Sequence, residues 1–468
     1  MSSSKHLFTT ADILDVTEGE YAAKGPACAV YSVCVDSRKA GPNSLFVPLR
    51  GERTDGHHFI GDAVKHGACG ILCEKRYWEN HGEKLKDIPD NISILLVENT
   101  YHALWAMAKN YMSRFKNCTV VGITGSSGKT TTKELIGTIL KAWKPTAINP
   151  GNYNSEIGLP LSVFQVDETH RYAVFEMGMN RIGEIGVLAD IVRPDFALIT
   201  NIGTAHIGML GGRDNILEEK IQIFSKFSGT QTGFMFEGDA YFTEACRRTG
   251  LDLVPYGVQS TKGYQGEENL GLYGTAIYWE GLRIRLGIPG KHNVDNALGA
   301  ITVAHYLGVP KECVKQGIEA VHPLSGRGEV VNGEVTVIND AYNANPESVE
   351  SSVGFLNELT WEGRKIVVCG AMKELGGSTE EGHDKVRHLL EHSSVDYVFL
   401  YGAEFRTYAF TKESGTSLNG RITWTDNFTD LESRLNKVVK PKDLVLLKGS
   451  RSMLLERLVN SIHGDVEV

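Results

Sequence analysis

The segment from Val120 to Leu140, VVGITGSSGKTTTKELIGTIL, places an apolar run before a turn of small residues and a helical pattern after it. The run predicts a buried strand, and the spacing of Leu135, Ile136 and Ile139 predicts one apolar helix face. A glycine-containing turn between a strand and a helix presents backbone N–H groups to an anion, and the helix N-terminus adds its positive end. The segment therefore predicts a phosphate-binding loop in an α/β sheet.

The side chains of this loop indicate a nucleotide as the source of the phosphate. Lys129 would reach the β- and γ-phosphates, and the Thr130 hydroxyl would bind Mg²⁺. Five residues separate Gly122 from Gly128, whereas the common motif has four between its glycines. A flexible Gly-Ser linker is the alternative, and the flanking strand and helix disfavour it. The residues assigned to the loop are Gly125, Ser126, Ser127, Gly128, Lys129, Thr130 and Thr131.

Length and composition exclude several classes of protein. At 468 residues the chain exceeds one ordinary core, so about two to four domains are expected. It carries 48 basic and 57 acidic residues, and this net charge of −9 does not favour nucleic acid as a partner. The sequence shows no apolar leader, no window of membrane-spanning length and no CxxC pair among its eight cysteines. We therefore expect a cytoplasmic protein with reduced cysteines.

The chain divides into three regions that differ in their pattern of apolar runs, polar turns and helical stretches. Residues 1–97 carry short β-like runs broken by polar turns, and residues 98–321 alternate apolar strands with helical stretches. Residues 322–468 contain further short buried strands, each followed by a turn and a helical run. Such alternation is typical of parallel sheets covered by helices. The predicted fold class is α/β, with a small α/β domain, a central parallel-sheet domain and a C-terminal Rossmann-like domain.

Two polar side chains follow predicted strands of the central region. Glu176 lies at the end of YAVFEM, and His206 comes shortly after DFALIT. The carboxyl ends of parallel strands meet at one sheet edge, where open α/β folds bind ligands, and a carboxylate suits Mg²⁺. Histidine is a less usual magnesium ligand, so the residues alone favour an ordinary loop histidine at position 206.

The segments GITGSSGKTTTKEL and GIPGKHNVDNALGA (287–300) resemble motifs of the Mur ligase family, whose members join amino acids or peptides to UDP-muramoyl precursors of the bacterial cell wall. The resemblance extends over nearly the whole chain. It implies that ATP is the nucleotide. It also implies that Thr130, Glu176 and His206 help to hold Mg²⁺.

The same resemblance assigns a modified lysine. At the position of Lys220, Mur ligases carry a carbamate, formed by CO₂ on the amine, that supports a second Mg²⁺. The residues alone favour a solvated helix lysine beside Glu218 and Glu219. The catalytic residues that the resemblance implies are Lys129, His206, Lys220 and Arg327.

The nucleotide site is completed by residues far apart in the sequence. Asn293 and Asn296 match the family's G-x-H-N-x-x-N pattern, in which Asn296 would face adenine. His and Asn at the start of a helix are also common N-terminal caps, which is the alternative explanation. Arg327 resembles the family arginine that reaches the ATP phosphates from the third domain. A guanidinium group suits this role because it can donate two parallel hydrogen bonds to a phosphate. Asp340 is assigned to the same site.

The two ends of the chain indicate the other substrates. DSRKAGPNSLFVPLRGERTDGHHF (36–59) resembles a UDP-binding domain of the family, in which Ser37 and Arg38 would bind a diphosphate or uracil. A simple polar turn is the alternative. Asn152 and Asn154, in NPGNYNSEIGLPLSVF, are assigned to the same UDP-substrate.

INDAYNANPESV (338–349) resembles the family motif associated with addition of D-alanyl-D-alanine. Amide side chains on this turn offer donors and acceptors to a dipeptide backbone. The segment LLKGSRSMLLE would bind the dipeptide carboxylate. GAMKELG departs from the family pattern because Ala371 replaces an aspartate. The residues assigned to the dipeptide are Tyr342, Asn343, Asn345, Lys448, Ser450 and Arg451.

Taken as a whole, the resemblance implies an ATP-dependent ligase that adds D-alanyl-D-alanine to UDP-N-acetylmuramoyl-tripeptide through an acyl phosphate. Residues 1–97 would bind the UDP-substrate, residues 98–321 ATP and residues 322–468 the dipeptide, in a monomer. The alternatives within this class are the tripeptide-forming ligase, disfavoured by AYNANP, and a folate polyglutamylating enzyme, disfavoured by the Asp-Ser-Arg region. A nucleotide-gated regulatory protein on a phosphate-loop fold is the alternative from another class.

Overall fold

The computed structural model describes residues 6–23, 25, 27–406 and 420–463. The first region forms a five-stranded sheet of order β2-β7-β6-β5-β4 and a short antiparallel pair, β1 with β3. Its strands are β1 (Phe8–Thr9), β2 (Glu20–Ala23), β3 (Ala29–Val30), β4 (Ser32–Cys34), β5 (Ser44–Phe46), β6 (Ala68–Glu74) and β7 (Ser93–Val97). Its helices are α1 (Thr10–Thr17), α2 (Ile60–Lys65) and α3 (Lys75–His81).

The central region begins with α4 (Thr100–Met112) and contains a six-stranded, wholly parallel sheet of order β13-β12-β11-β8-β10-β9. The strands of this sheet are β8 (Thr119–Thr124), β9 (Thr146–Ile148), β10 (Tyr172–Glu176), β11 (Phe196–Ile199), β12 (Thr232–Phe236) and β13 (Val254–Tyr256). The helices are α5 (Lys129–Lys141), α6 (Gly158–Val163), α7 (Glu184–Val192), α8 (Ile207–Leu210), α9 (Arg213–Lys220), α10 (Phe242–Thr249), α11 (Lys291–Tyr306) and α12 (Lys311–Glu319). An antiparallel meander follows β13, with strands β14 (Tyr264–Asn269), β15 (Thr275–Trp279) and β16 (Leu282–Leu286).

The third region forms a six-stranded sheet of order β17-β18-β22-β19-β20-β21, parallel except for β17. Its strands are β17 (Glu329–Val331), β18 (Thr336–Asp340), β19 (Lys365–Gly370), β20 (Tyr397–Tyr401), β21 (Ile422–Thr425) and β22 (Leu444–Lys448). Its helices are α13 (Pro346–Glu358), α14 (Thr379–Glu391), α15 (Phe428–Val438) and α16 (Arg457–His463). The predicted α/β class with parallel sheets is confirmed. No helix within the described residues is long and apolar enough to cross a membrane.

The order of the central sheet explains where a ligand can bind. Strand β8 lies between β11 and β10. The chain runs from β8 to β9 on the β10 side and then from β10 across β8 to β11, so the direction in which strands are added reverses at β8. A crevice opens at the carboxyl ends of the strands at such a switch point. In the register, Glu176 pairs with Ile123 and Ile199 pairs with Thr124, so three strands end at the same level.

Helix α5 is held against the sheet by the apolar face predicted from the sequence. Leu135, Ile136, Ile139 and Leu140 are all fully buried in one cluster with residues of α11 and α12. Burying each such side chain contributes about 1.5–3 kcal/mol relative to exposure. The N-terminus of α5, which carries Lys129, is therefore fixed at the crevice by packing along the rest of the helix.

We expect Gly317→Ala to destabilise the fold by about 1–3 kcal/mol, because overpacking forces backbone shifts. A Cβ at Gly317, within α12, would lie 2.3 Å from Ile139 Cα of α5. Gly354, within α13, is the matched control, since no described heavy atom lies within 4 Å of its added Cβ. Gly354→Ala should stabilise the protein by about 0.5–1 kcal/mol. Urea denaturation measures both, and equal effects would contradict the α5–α12 contact.

Candidate active site

A cleft of about 1230 Å³ lies between the carboxyl edge of the central sheet and the third region. It brings together most residues that the sequence assigned to a site. From the central region these are Ser126, Ser127, Gly128, Lys129, Thr130, Thr131, Asn152, Asn154, Glu176, His206, Asn293 and Asn296. From the third region they are Arg327, Asp340, Tyr342, Asn343, Asn345, Lys448, Ser450 and Arg451. Four assigned residues do not line the cleft, namely Ser37, Arg38, Gly125 and Lys220.

Two glycines allow the phosphate loop to fit between its neighbours. Gly125 and Gly128 have φ values of 151° and 81°, which side chains disfavour. A Cβ at Gly125 would lie 1.7 Å from Thr200 Oγ1, and one at Gly128 would lie 2.4 Å from Asn296 Oδ1. The loop is therefore confined between the end of β11 and the start of α11.

Hydrogen bonds from the end of β11 fix the loop conformation. Asn201 Oδ1 accepts from Ser127 N–H at 3.0 Å, and Asn201 Nδ2 donates to Ser127 O at 3.0 Å. Thr200 Oγ1 donates to the same carbonyl at 2.6 Å. The sequence analysis missed both residues, although they follow a predicted strand that ends at the same edge as Glu176.

Lys129 is half-buried and turned toward its own loop. Its Nζ donates to Gly125 O at 2.8 Å and to Ser126 O at 3.3 Å. Burial lowers its pKa below the ordinary lysine value, Glu176 opposes this shift and Arg327 adds to it. The Lys129 ammonium group has too little negative charge around it to offset its burial. Binding of an anion such as phosphate would therefore stabilise its charged form.

The carboxylate of Glu176 presents one oxygen without a partner. Glu176 is 1% exposed, and its Oε1 accepts from Asn154 Nδ2 at 2.7 Å. Its Oε2 is buried and has no hydrogen-bond partner among the residues that the structure describes. A buried carboxylate oxygen in this state is costly unless a cation or donor joins it. Thr130, which is also buried, lines the same cleft, and hydroxyl and carboxylate oxygens are the donors that suit a hard cation such as Mg²⁺.

His206 lies where the central region meets the third region. It adopts the left-handed conformation with φ of 61°, and its Nδ1 lies 3.1 Å from Glu374 Oε2. Burial lowers the pKa of His206, which Glu374 opposes and Lys129 and Lys220 reinforce. The lowered pKa favours the neutral imidazole, which is the form that can bind a metal.

Lys220 is not the solvated lysine that its neighbours in the sequence suggest. It is 1% exposed, and burial together with Lys129 lowers its pKa well below the ordinary value while Glu219 opposes the shift. Glu219 accepts from two backbone N–H groups at the start of α7. Glu218 pairs with Arg248 at 3.4 Å. The interpretation of Lys220 as an exposed lysine with surface partners is wrong.

The start of α11 forms the wall of the cleft next to the phosphate loop. Asn293 Nδ2 donates to Pro289 O at 2.7 Å, and Thr132 Oγ1 of α5 donates to Asn296 Oδ1 at 3.3 Å. Gly290 occupies the N-cap position, and within the described structure no side chain caps this helix. The alternative that these residues serve as helix caps is therefore wrong.

Charged side chains of the third region face the cleft in pairs. Asp340 Oδ2 lies 2.8 Å from Lys448 Nζ and accepts from Ser352 Oγ at 2.8 Å. The Arg327 guanidinium lies 3.9 Å from the centre of the Tyr342 ring, a cation–π contact. Asp340 and Lys448, assigned to ATP and to the dipeptide respectively, are therefore direct neighbours.

The AYNANP turn contacts the phosphate loop across the cleft. Asn345 is the N-cap of α13, where its Oδ1 accepts from Ser348 N–H at 2.8 Å, and its Nδ2 donates to Ser127 Oγ at 3.3 Å. Asn343 is exposed, and its Oδ1 accepts from Ala344 N–H at 2.8 Å. The amide of Asn343 is therefore the more accessible of the two to a ligand.

Two glutamates that the sequence analysis missed also join the two regions. Glu347 Oε2 accepts from Thr204 Oγ1 at 2.6 Å, and the Glu374 carbonyl accepts from Gly208 N–H at 3.3 Å. Ala371, where the family pattern has an aspartate, is fully buried. A carboxylate there would require a buried partner, and alanine removes that requirement.

Ser37 and Arg38 lie in the first region, away from the cleft. Arg38 donates to Asp36 through its Nε at 2.9 Å and through one terminal nitrogen at 2.8 Å. The Arg38 side chain is 85% exposed, whereas Ser37 is buried. Apart from Gly125, the residues assigned to ATP and the dipeptide therefore line the cleft, and the assigned UDP residues are divided between the cleft and this turn.

Comparison with known proteins identifies the family. The chain matches "Mur ligase family, catalytic domain" over residues 29–109, "Mur ligase middle domain" over 123–304 and "Mur ligase, glutamate ligase domain" over 326–451. It is 38% identical to the UDP-N-acetylmuramoyl-tripeptide--D-alanyl-D-alanine ligase of Treponema pallidum, over 91% of this chain and 92% of that protein.

Two solved structures show the same arrangement. MurF from Acinetobacter baumannii superposes with a TM-score of 0.86 at 28% identity, over 97% of this chain and 98% of that one. The MurF ligase from Thermotoga maritima in complex with ADP gives 0.77 at 28% identity, over 92% and 97%. Sequence and structure therefore agree that this chain belongs to the Mur ligase family.

Proposed function

We propose that this chain is an ATP-dependent ligase that adds D-alanyl-D-alanine to UDP-N-acetylmuramoyl-tripeptide in peptidoglycan precursor synthesis. One observation carries the proposal: the AYNANP turn is hydrogen-bonded to the phosphate loop, since Asn345 Nδ2 donates to Ser127 Oγ at 3.3 Å. Both residues line the same cleft. A dipeptide held by this turn would lie beside the phosphate that is transferred. The names of the Treponema pallidum and Bacillus subtilis relatives support the same reaction.

The reaction joins two steps at one place. The terminal carboxylate of the tripeptide attacks the γ-phosphate of ATP, and ADP leaves an acyl phosphate behind. The amine of the dipeptide then attacks the acyl carbon, and phosphate leaves as the amide forms. Lys129 and Arg327 offset the charge that builds on the transferred phosphate, since fixed cations stabilise such transition states.

The residues present fit Mg²⁺. Thr130, Glu176 and His206 would hold one ion, and a carbamate on Lys220 would support a second. Bound Mg²⁺ supplies neutralisation of phosphate charge and polarisation of its oxygens. The lowered pKa of Lys220 increases the fraction of free amine, the form that reacts with CO₂.

The remaining assignments are part of the proposal. Residues 1–97 bind the UDP portion with Ser37 and Arg38, and Asn152 and Asn154 face the tripeptide. Residues 98–321 bind ATP through the phosphate loop, Asn293, Asn296 and Asp340, and residues 322–468 bind the dipeptide. The enzyme works as a cytoplasmic monomer.

Product mass tests the reaction directly. The protein is incubated with ATP, UDP-N-acetylmuramoyl-tripeptide and D-alanyl-D-alanine, and we expect a UDP-pentapeptide together with one ADP for each amide formed. Lys129→Ala should slow this reaction about a hundred-fold or more. Diamino acid or glutamate addition instead would indicate the tripeptide-forming or folate activities. ATP hydrolysis stimulated only by a protein partner would indicate a regulator.

Asn343→Ala and Asn345→Ala should affect different quantities. Asn343→Ala is expected to raise the KM for D-alanyl-D-alanine with little change in the KM for ATP, because its exposed amide serves the dipeptide alone. Asn345→Ala should raise both KM values and lower the unfolding free energy by about 1 kcal/mol, because it also loses a helix cap. Steady-state kinetics and urea denaturation measure these effects. A change confined to the KM for ATP in Asn343→Ala would reassign the turn to the nucleotide.

Lys220→Ala should reduce turnover about a hundred-fold or more, since one anionic ligand of the second Mg²⁺ is lost. A small carboxylic acid in the buffer should partly restore turnover by occupying the place of the carbamate. Stripping CO₂ and bicarbonate should also slow the unmodified enzyme. Lys226→Ala, at a half-exposed lysine that pairs with Asp190, is the matched control. Turnover of Lys220→Ala close to that of the control would contradict the carbamate.

A further inference from the structure

Lys133 is a fully buried lysine that the mechanism above does not use. It lies on α5, one turn after Lys129, and is 0% exposed. Its Nζ donates to Asn149 O at 2.9 Å and Gly151 O at 3.2 Å, and lies 3.0 Å from Glu134 Oε1. Burying a cation is costly even when it is paired, and an apolar residue of similar volume is often as stabilising. A position of this kind is expected to carry a role besides stability.

The segment that Lys133 binds is the one that holds Glu176. The Asn149 side chain accepts from Glu176 N–H at 2.9 Å and donates to Glu176 O at 3.2 Å, so it pairs with the end of β10 as a neighbouring strand would. It also donates to Tyr153 O at 2.8 Å, which closes the turn from 149 to 153. The backbone of the 149–154 segment is therefore fixed to both α5 and β10.

Asn154, at the end of this segment, determines which oxygen of the Glu176 carboxylate is hydrogen-bonded. Asn154 O accepts from Gly178 N–H at 2.8 Å, and Asn154 Nδ2 donates to Glu176 Oε1 at 2.7 Å. Glu176 Oε2 is left buried and, in the described part of the chain, without a donor. One oxygen is thus occupied by an amide, and the other is left without a partner on a residue that lines the cleft.

We propose that Lys133 and Asn154 are positioning residues for the metal ligand Glu176. Lys133 fixes the 149–154 segment, and the segment places the Asn154 amide on Oε1, so that Glu176 offers a metal a single, oriented oxygen. This inference rests on the proposed magnesium role of Glu176. It gives Asn154 a role toward the metal in addition to any contact with the UDP-substrate.

Replacement of Lys133 should act through the segment. Lys133→Met preserves the length of the side chain and its packing but leaves the carbonyls of Asn149 and Gly151 without their donor. Asn149 is buried, and a buried carbonyl without a donor costs free energy, so we expect the segment to shift to recover a partner. The Asn154 amide then no longer holds Oε1 in place, and the carboxylate can turn.

Mn²⁺ binding tests the inference without turnover. Free Mn²⁺ is measured by electron paramagnetic resonance in titrations of the full-length protein with a non-hydrolysable ATP analogue. We expect Lys133→Met and Asn154→Ala each to weaken Mn²⁺ binding about tenfold, as loss of groups that orient metal ligands does. Lys141→Met, at an exposed lysine on the same helix, is the matched control and should bind Mn²⁺ as the unmodified protein does.

The double variant separates positioning from loosening of the fold. If Lys133 acts through Asn154, Lys133→Met/Asn154→Ala should bind Mn²⁺ as weakly as Asn154→Ala alone. Additive losses of Mn²⁺ affinity in the double variant would overturn the proposal. A Mn²⁺ affinity of Asn154→Ala within twofold of that of the unmodified protein would also overturn it. Asn154→Ala keeps Lys133 in place and removes only the amide on Oε1, so it still tests the final step of the proposal where Lys133→Met does not fold. Failure of the unmodified protein to bind Mn²⁺ would instead overturn the magnesium assignment.

Discussion

The close approach of the phosphate loop to its two neighbours is the constraint on which the rest of the site depends. Gly125 leaves no room for a side chain against Thr200, and Gly128 leaves none against Asn296. The loop can therefore occupy this place only if β11 ends beside β8 and α11 starts above it. Parallel pairing of β8 with β10 and β11 provides that geometry, and packing of α5 holds the loop from the other end.

The local sequence pattern is sufficient to predict part of this arrangement. Strand β8, the turn and α5 follow from hydrophobic periodicity and small residues, and Glu176 follows from its position at a strand end. The burial of Lys220 could not be predicted, because its helix has polar neighbours on the same turn and only tertiary packing covers it. The contact of Asn345 with Ser127 joins residues 218 positions apart, and no local pattern encodes it.

Lys129 and Arg327 give the cleft positive charge. Both line the cleft of a protein whose net charge is −9. A lysine ammonium group removed from water is stabilised by nearby anions, so the cleft favours polyanionic ligands while the surface as a whole does not. The UDP-linked substrate and ATP of the proposed reaction are both polyanions.

The contacts between the central and third regions explain how one cleft can serve two substrates in turn. The hydrogen bond from Asn345 to Ser127 attaches the proposed dipeptide turn to the phosphate loop, and the bond from Thr204 to Glu347 joins the segment after β11 to the start of α13. Each side of the site therefore helps to fix the conformation of the other. An acyl phosphate hydrolyses unless the amine is already in place, and water must be excluded meanwhile. In the proposed reaction, direct hydrogen bonds between the regions meet the first requirement, because the loop proposed to bind the γ-phosphate is joined to the turn proposed to present the dipeptide.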